Sequence, residues 1–168
     1  MYLRKLKLED APLMLEWMHD ASVTEHLAAN FAGKTVSDCE NFIISSRNDD
    51  KNLHLAVAAE DDTYMGTVSL KQIDRQTASA EFAISMRSCA MGKGYARYAM
   101  LEIIRMGLDE LGLKQVYWCV SQENKRACRF YDKNGFCTVT DIPAPILARY
   151  ADHKDLRWYR VERGASAH

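Results

Sequence analysis

The sequence predicts one α/β domain in which a mixed, mostly antiparallel sheet of six to seven strands is flanked by helices on both faces. Segments with alternating apolar residues, which favour strands, lie between segments whose apolar residues recur every three or four positions, which favour helices. Their order is a strand, helices, three strands, then helix, strand, helix and two strands, which is typical of a mixed sheet covered by helices. We find no repeat or linker, so we expect one domain over residues 1–163 and a flexible tail over residues 164–168.

The first third of the chain predicts one strand and several helices. "MYLRKLK" alternates apolar and polar residues and is expected to be a strand. In "LEDAPLMLEWMHD" Asp10 is a suitable N-cap, and Pro12 falls early in the helix, where its missing N–H costs little. A shorter helix is expected in "SVTEHLA". Another is expected in "TVSDCENFIISSR", where Ser37 and Glu40 have the spacing of a capping box.

The remaining segments complete the sheet. "LHLAVAAE", "YMGTVSLKQI" and "ASAEFAISM" predict three consecutive strands. In the third of them, Glu81, Ala83 and Ser85 share one face. Residues 93–111 predict an amphipathic helix that ends at Gly112. "KQVYWCVS" predicts a strand, "ENKRACRFYDKN" a helix ended by Gly135, and "FCTVTDI" and "DLRWYRVE" two strands with an irregular connection, "PAPILARYADHK", between them.

Composition excludes several classes of protein. The net charge of −1 argues against a nucleic-acid-binding protein, although a small anionic ligand at one local site stays compatible with it. The N-terminus is charged throughout, unlike a signal peptide, and no apolar run approaches the length of a membrane span. The five cysteines form no CxxC pair and the histidines lack metal-ligand spacing, so we expect reduced thiols, no metal and a cytoplasmic protein.

The stretch "AMGKGYARYAMLEII" (90–104) places two glycines and a lysine where a helix begins. A helix N-terminus presents unpaired backbone N–H groups, and glycines allow an anion to approach them closely. The stretch therefore predicts a phosphate cradle, with Lys93 and Arg97 adding positive charge at its rim. A plain strand-to-helix turn is the alternative. A P-loop is excluded because GxxxxGK[ST] is absent, and a dinucleotide fingerprint would need glycine at Arg97.

A second motif follows about 30 residues later. In "ENKRACRFYDKNGF", Asn124, Ala127 and Tyr131 share one helical face ahead of Gly135. This pair of motifs resembles the GCN5-related N-acetyltransferase superfamily, and in particular the branch with ribosomal-protein N-terminal and spermidine acetyltransferases. Met91 stands where the family usually has Gln or Arg. The preceding "RSCA" also lacks a proline that is common in relatives.

The resemblance implies that the chain transfers an acetyl group from acetyl-CoA to a primary amine by direct attack. It identifies Tyr131 as the general acid for the leaving thiolate and Glu81 as the base, acting through water. A core tyrosine and a half-exposed glutamate paired with a lysine are the structural alternatives. Cys119 offers a covalent route, but no histidine partner is identifiable by spacing.

The resemblance also implies the cofactor-binding residues. Backbone groups of the strand "ASAEFAISM" would bind the pantetheine arm and help to stabilise the oxyanion. The amides of the glycine stretch would bind the diphosphate, Asn124 would contact the cofactor or a bridging water, and Lys125 and Arg126 could reach the adenosine phosphates. Helix capping by Asn124 and a solvated face at 125–126 are the alternatives. The full set is Ile84, Ser85, Met86, Met91, Gly92, Lys93, Gly94, Tyr95, Ala96, Asn124 and Arg126.

The acceptor is not identified by these motifs. We expect it to be selected by the N-terminal helices, the 28–35 loop and the 142–155 connection, with His26, Asn30, Phe31 and Tyr150 as candidate lining residues. A protein N-terminus, a polyamine, an amino sugar and an antibiotic are all compatible. The acidic runs at 48–50 and 60–62 would favour a polyamine if they lined the pocket. A homodimer, a non-catalytic acyl-CoA-binding module and another kind of nucleotide-binding domain stay open as alternatives.

Overall fold

The structure is a computed structural model that describes residues 1–27 and 29–164. The tail predicted for 164–168 therefore lies outside the described residues, apart from Gly164. Seven strands form one sheet: β1 (Tyr2–Lys5), β2 (Leu53–Ala58), β3 (Tyr64–Asp74), β4 (Ser79–Met86), β5 (Gln115–Ser121), β6 (Thr138–Val139) and β7 (Leu156–Glu162). The helices are α1 (Ala11–Met18), α2 (Ala21–Thr24), α3 (Val36–Ser46), α4 (Tyr95–Arg105), α5 (Lys125–Lys133) and α6 (Ala144–Ala148).

The strand order is β1-β2-β3-β4-β5-β7-β6. The β4–β5 pair is parallel and the other neighbouring pairs are antiparallel. This confirms the mixed, mostly antiparallel α/β sheet that the sequence predicted. β7 returns between β5 and the edge strand β6, so the connection that contains α6 is brought back beside β5.

Helices cover both faces of the sheet. On one face, α4 and α5 pack on alternate residues of β2 to β5 and β7, around the buried ring of Trp118. On the other face, α1 and α3 bury Ala56 and Tyr64, and α2 adds Val23 at the edge of this cluster. Further along that face, Tyr117, Ile142 and Trp158 form a small cluster beneath α6. The sheet therefore separates an α4–α5 side from an α1–α3 and α6 side.

Local capping differs from the sequence prediction at two helices. The Asp10 carboxylate accepts a hydrogen bond from the Lys7 amide (2.8 Å) and pairs with the Arg4 guanidinium (2.8 Å) instead of capping α1. Thr35, not Ser37, caps α3, and it forms a reciprocal capping box with Asp38. α1 thus begins directly after Asp10, although the side chain does not cap it, and α3 is capped two residues earlier than predicted because Thr35 and Ser37 offer competing acceptors.

The end of the chain differs as well. Within "FCTVTDI" only Thr138 and Val139 pair with β7, and the connection that was expected to be irregular contains α6. The longest helices, α3 and α4, have 11 residues each, whereas a membrane-spanning helix needs about 20. Within the described ranges no helix is long and apolar enough to cross a bilayer.

The sheet opens between its two parallel strands. β4 pairs with β5 at Ser79–Gln115, Ala80–Val116 and Glu81–Tyr117, and the pairing stops there. β4 nevertheless continues to Met86 along β3, and β5 continues to Ser121 along β7. Because each strand follows its other neighbour, the two strands diverge beyond Glu81 and Tyr117 and leave a wedge-shaped gap in the sheet.

Candidate active site

A cleft of about 1200 Å³ occupies the gap between β4 and β5. Its walls come from both sides of the sheet. Phe82, Trp118 and Tyr131 belong to the α4–α5 side, whereas Glu81 and Cys119 belong to the side of α6. The cleft therefore passes through the sheet, so that a ligand entering from one side can meet a second ligand entering from the other.

The glycine stretch forms one mouth of this cleft. Gly92 (φ 73°) and Gly94 (φ 86°) both adopt the left-handed conformation that glycine tolerates, and Gly94 is the N-cap of α4. In the described part of the chain, no carbonyl or side-chain oxygen accepts a hydrogen bond from the amides of residues 92–96. A Cβ added at either glycine would meet no atom within 4 Å. The loop thus combines unpaired N–H donors with open space beside both glycines, at the positive end of a helix dipole.

Most of the residues predicted to bind the cofactor line the cleft. These are Ile84, Ser85, Met86, Met91, Gly92, Gly94, Ala96, Asn124 and Arg126. Two others do not line it: Lys93 is exposed, and Tyr95 packs against the core beneath α4. Tyr95 could therefore contribute its backbone amide, and Lys93 its amide or its exposed side chain. Met91 is half-buried against the same core and offers no polar side-chain atom to a ligand.

Charged and polar side chains near the glycine stretch have partners of their own. The Asn124 side chain accepts a hydrogen bond from the Ala127 amide (3.1 Å), which is the helix-capping role considered as its alternative. The Arg97 guanidinium donates to the Asn134 side chain (2.9 Å) and also lines the cleft. Lys125 and Arg126 are exposed at the cleft wall, where they are free to contact phosphates.

Tyr131 is held in the aromatic core beside the cleft. Its ring centroid lies 5.4 Å from that of Trp118 and 5.1 Å from that of Tyr159, and only 7% of the residue is exposed. Burial raises the pKa of Tyr131 well above its ordinary value, and among the described residues no hydrogen bond to its hydroxyl opposes this. The phenol therefore stays protonated at neutral and moderately alkaline pH, and its hydroxyl is free to donate to a ligand.

Glu81 lies at the vertex of the gap and is 5% exposed. The Tyr150 hydroxyl donates a hydrogen bond to its carboxylate, and the Arg149 Nη2 atom lies 3.7 Å from the second carboxylate oxygen. The alternative of a half-exposed glutamate paired with a lysine is therefore wrong. Lys71 is its cross-strand neighbour, but no ion pair joins the two.

Arg149 and Tyr150 come from the end of α6 and extend this network. Arg149 also donates to the Tyr117 hydroxyl, and its guanidinium lies 5.9 Å from the centre of that ring. Burial, followed by the hydrogen bond to Glu81, raises the pKa of Tyr150 above its ordinary value. Sequence reasoning considered Tyr150 only as a wall of the acceptor pocket and missed Arg149. No local signal identifies either, because they reach Glu81 across about 70 residues of chain.

Cys119 also lines the cleft, near Glu81 and Tyr150. Burial raises the pKa of its thiol to about 12, with a further contribution from the Glu81 carboxylate. Almost none of this thiol is ionised at neutral pH, and the thiolate is the nucleophilic form. This argues against a covalent acetyl-cysteine route. Within the described residues, no group of three His, Cys, Asp or Glu side chains is placed to hold a metal ion.

The acceptor-side candidates separate into two groups. His26 and Tyr150 line the cleft, whereas Asn30 and Phe31 line a separate hollow of about 370 Å³ beside α1 and α2. The acidic runs at 48–50 and 60–62 lie on turns and do not line the cleft. Asp62 instead binds Arg4 (2.6 Å) and Lys7 (2.5 Å). These carboxylates therefore provide no support for a polyamine pocket.

Comparison with known proteins gives a consistent result. The family model of the GNAT acetyltransferase domain matches residues 1–137. The chain is 27% identical over 139 residues to the uncharacterized N-acetyltransferase p20 of Bacillus licheniformis, a match that covers 80% of this chain and 77% of p20.

Solved structures are similar over almost the whole chain. One is spermidine N-acetyltransferase from Vibrio cholerae in complex with CoA and spermine, with a TM-score of 0.81, 19% identity and coverage of 96% of this chain and 95% of that one. Another is a GNAT-family acetyltransferase from Bacillus anthracis, with a TM-score of 0.74, 18% identity and coverage of 95% and 93%. At these identities the similarity shows a shared fold.

Proposed function

The chain belongs to the GNAT family of acetyltransferases and is an acetyl-CoA-dependent N-acetyltransferase; from this premise we propose that it acetylates the primary amine of a small molecule within the cleft between β4 and β5. The cofactor would enter from the α4–α5 side and the amine from the side of α2 and α6. Residues 1–163 would act together as one catalytic domain, because the α6 connection contributes to the cleft although it lies beyond the segment that the family model matches.

One observation carries the proposal. The amides of residues 92–96 have no hydrogen-bond acceptor among the described residues, and Gly92, Gly94 and Ala96 line the cleft at the N-terminus of α4. Such a cluster of donors suits the diphosphate of coenzyme A, and the cationic side chains of Arg97, Lys125 and Arg126 around it favour further phosphate groups. The β5-facing backbone of β4 beyond Glu81 is likewise available to the pantetheine arm.

Acetyl-CoA supplies an activated acetyl group on a thiol that leaves readily. The remaining chemistry is proton transfer. Glu81 would accept the proton lost by the attacking amine, directly or through one water, while Tyr150 and Arg149 orient its carboxylate. Tyr131, kept protonated by burial, would donate to the departing sulfur. The two groups lie on opposite sides of the sheet, which suits a reaction in which the amine and the thiol approach the acetyl carbon from different directions.

The non-catalytic acyl-CoA-binding alternative is disfavoured by the family match and the N-acetyltransferase relative. The test is calorimetric titration with acetyl-CoA, followed by measurement of thiol release in the presence of primary amines. We expect saturable binding, and release that depends on the amine. Tight binding without release for any amine would support a binding module, and absence of binding would refute the cradle itself.

A further inference from the structure

We infer that the acceptor carries an anionic group, a carboxylate or a phosphate, near its primary amine, and that it is not a polyamine. The inference rests on the proposed function and concerns the acceptor groove, defined as the part of the cleft on the side of α2 and α6. One wall of this groove is lined by Ser22, Val23, Glu25, His26 and Leu27, and the opposite wall by Tyr150, His153 and Lys154. Lys71 and Glu81, which are cross-strand neighbours, lie between the two walls.

Three carboxylates of the described residues line the cleft. The third, Glu123, is exposed on the turn before α5, whereas the two in the acceptor groove already have partners. Glu81 accepts from Tyr150 and lies 3.7 Å from the Arg149 guanidinium. Glu25, on the α2 wall, lies 3.1 Å from the His26 imidazole. Glu81 is therefore buried with contacts to both of its carboxylate oxygens, whereas the Glu25 side chain is 62% exposed, where an ion pair with a second ammonium group of an acceptor would contribute little.

The two lysines of the groove lack such partners. Lys71 is half-buried on the floor, and Lys154 is exposed on the opposite wall. Among the described residues, neither ammonium group is paired with a carboxylate. Two histidines, His26 and His153, also line the groove and add no carboxylate to it. Asp152 and Asp155 flank Lys154 in sequence but do not line the cleft.

The charge balance therefore opposes a polyamine. A molecule with two or more ammonium groups would place its distal positive charge in the same groove as the unpaired lysines, and like charges repel. A zwitterion or an amino phosphate matches the groove instead, because its amine can reach Glu81 while its anionic group meets Lys71 or Lys154. This distinguishes the chain from the Vibrio cholerae spermidine N-acetyltransferase whose fold it shares.

The experiment uses two matched pairs of amines. Alanyl-alanine and its C-terminal amide differ in one carboxylate, and phosphoethanolamine and ethanolamine differ in one phosphate. Spermidine is the fifth compound. Affinity is measured by calorimetry on the full chain saturated with CoA, and kcat/KM by thiol release from acetyl-CoA.

In at least one pair we expect the anionic member to bind about tenfold more tightly than its neutral partner and to have the higher kcat/KM, with spermidine inferior to it. The pair that discriminates identifies the anion as a carboxylate or a phosphate. Equal affinity within both pairs, including no measurable affinity for any member, would overturn the inference. So would a preference for spermidine, and that result would leave the proposed acetyl transfer intact. Failure to bind CoA would instead count against the proposed function.

Variants locate the anion. Lys71→Gln should lower the preference for the anionic member about fivefold to tenfold, and Lys154→Gln about twofold to threefold, because the exposed charge is more strongly screened. Lys51→Gln, on an exposed turn outside the cleft, is the matched control and should leave the preference unchanged. An undiminished preference in both groove variants would contradict the assignment.

Discussion

Replacing Gly94 by alanine tests whether the amides at the start of α4 bind the diphosphate. Gly94 has φ 86°, so a Cβ is strained there and should cost about 1–2 kcal/mol of folding stability. In a domain of this size that corresponds to a fall in Tm of about 2–8 °C. The added methyl group would meet no protein atom within 4 Å, so apart from this strain it would affect only a ligand that occupies that space. If the space holds phosphate, affinity for acetyl-CoA should fall tenfold or more, or about 1.4 kcal/mol.

Gly112 provides the matched control. It also has a positive φ (73°) and open surroundings, but it follows the π-helical continuation of α4 (Met106–Glu110), outside the cleft. Gly112→Ala should therefore lower Tm by a similar amount and leave acetyl-CoA affinity unchanged. Calorimetry at a temperature where both variants are folded separates the two effects. Wild-type affinity in folded Gly94→Ala, or an equal loss of affinity in Gly112→Ala, would refute the reasoning.

Three further predictions concern the proposed acid Tyr131, the hydrogen bond from Tyr150 to Glu81, and the ion pairs of Asp62. In steady-state assays Tyr131→Phe should lower kcat about 10- to 10³-fold with little change in the KM for acetyl-CoA. The wild-type enzyme should lose no activity through ionisation of Tyr131 below about pH 10. An unchanged kcat in the variant would remove Tyr131 from the mechanism. Tyr150→Phe should destabilise the protein by about 1–3 kcal/mol in urea unfolding, because the buried Glu81 carboxylate loses a donor, and should lower kcat/KM for the amine about tenfold; a loss of stability without a loss of activity would assign it a structural role only. The pKa of Asp62 is lowered by hydrogen bonds, first from Lys7 and then from neighbouring side chains. The stability that Asp62 contributes is therefore present above about pH 4 and is lost as the pH falls further. Asp62→Asn should flatten this part of the stability–pH curve, and an unaltered curve would contradict the assignment.

Some features of the protein are decided by residues close together in sequence. Apolar periodicity separates strands from helices within a few residues. The two glycines around Lys93 predict a tight turn with positive φ angles directly before a helix. The order of elements then predicts the sheet class. The predicted cap of α3 was wrong, because Thr35 and Ser37 both precede an acidic residue by three positions. Which of them caps the helix depends on where the chain leaves the preceding loop.

The arrangement of the cleft depends on contacts between distant segments. Glu81 and Tyr131 come from motifs that suggested one site, yet their side chains lie on opposite sides of the sheet and meet the same cleft only because β4 and β5 diverge. Arg149 and Tyr150 reach Glu81 because β7 returns between β5 and β6. Local spacing therefore determined which elements form and where a phosphate could bind. Tertiary structure alone decided which charges surround the acceptor, since the pairing of strands far apart in sequence brings those charges together.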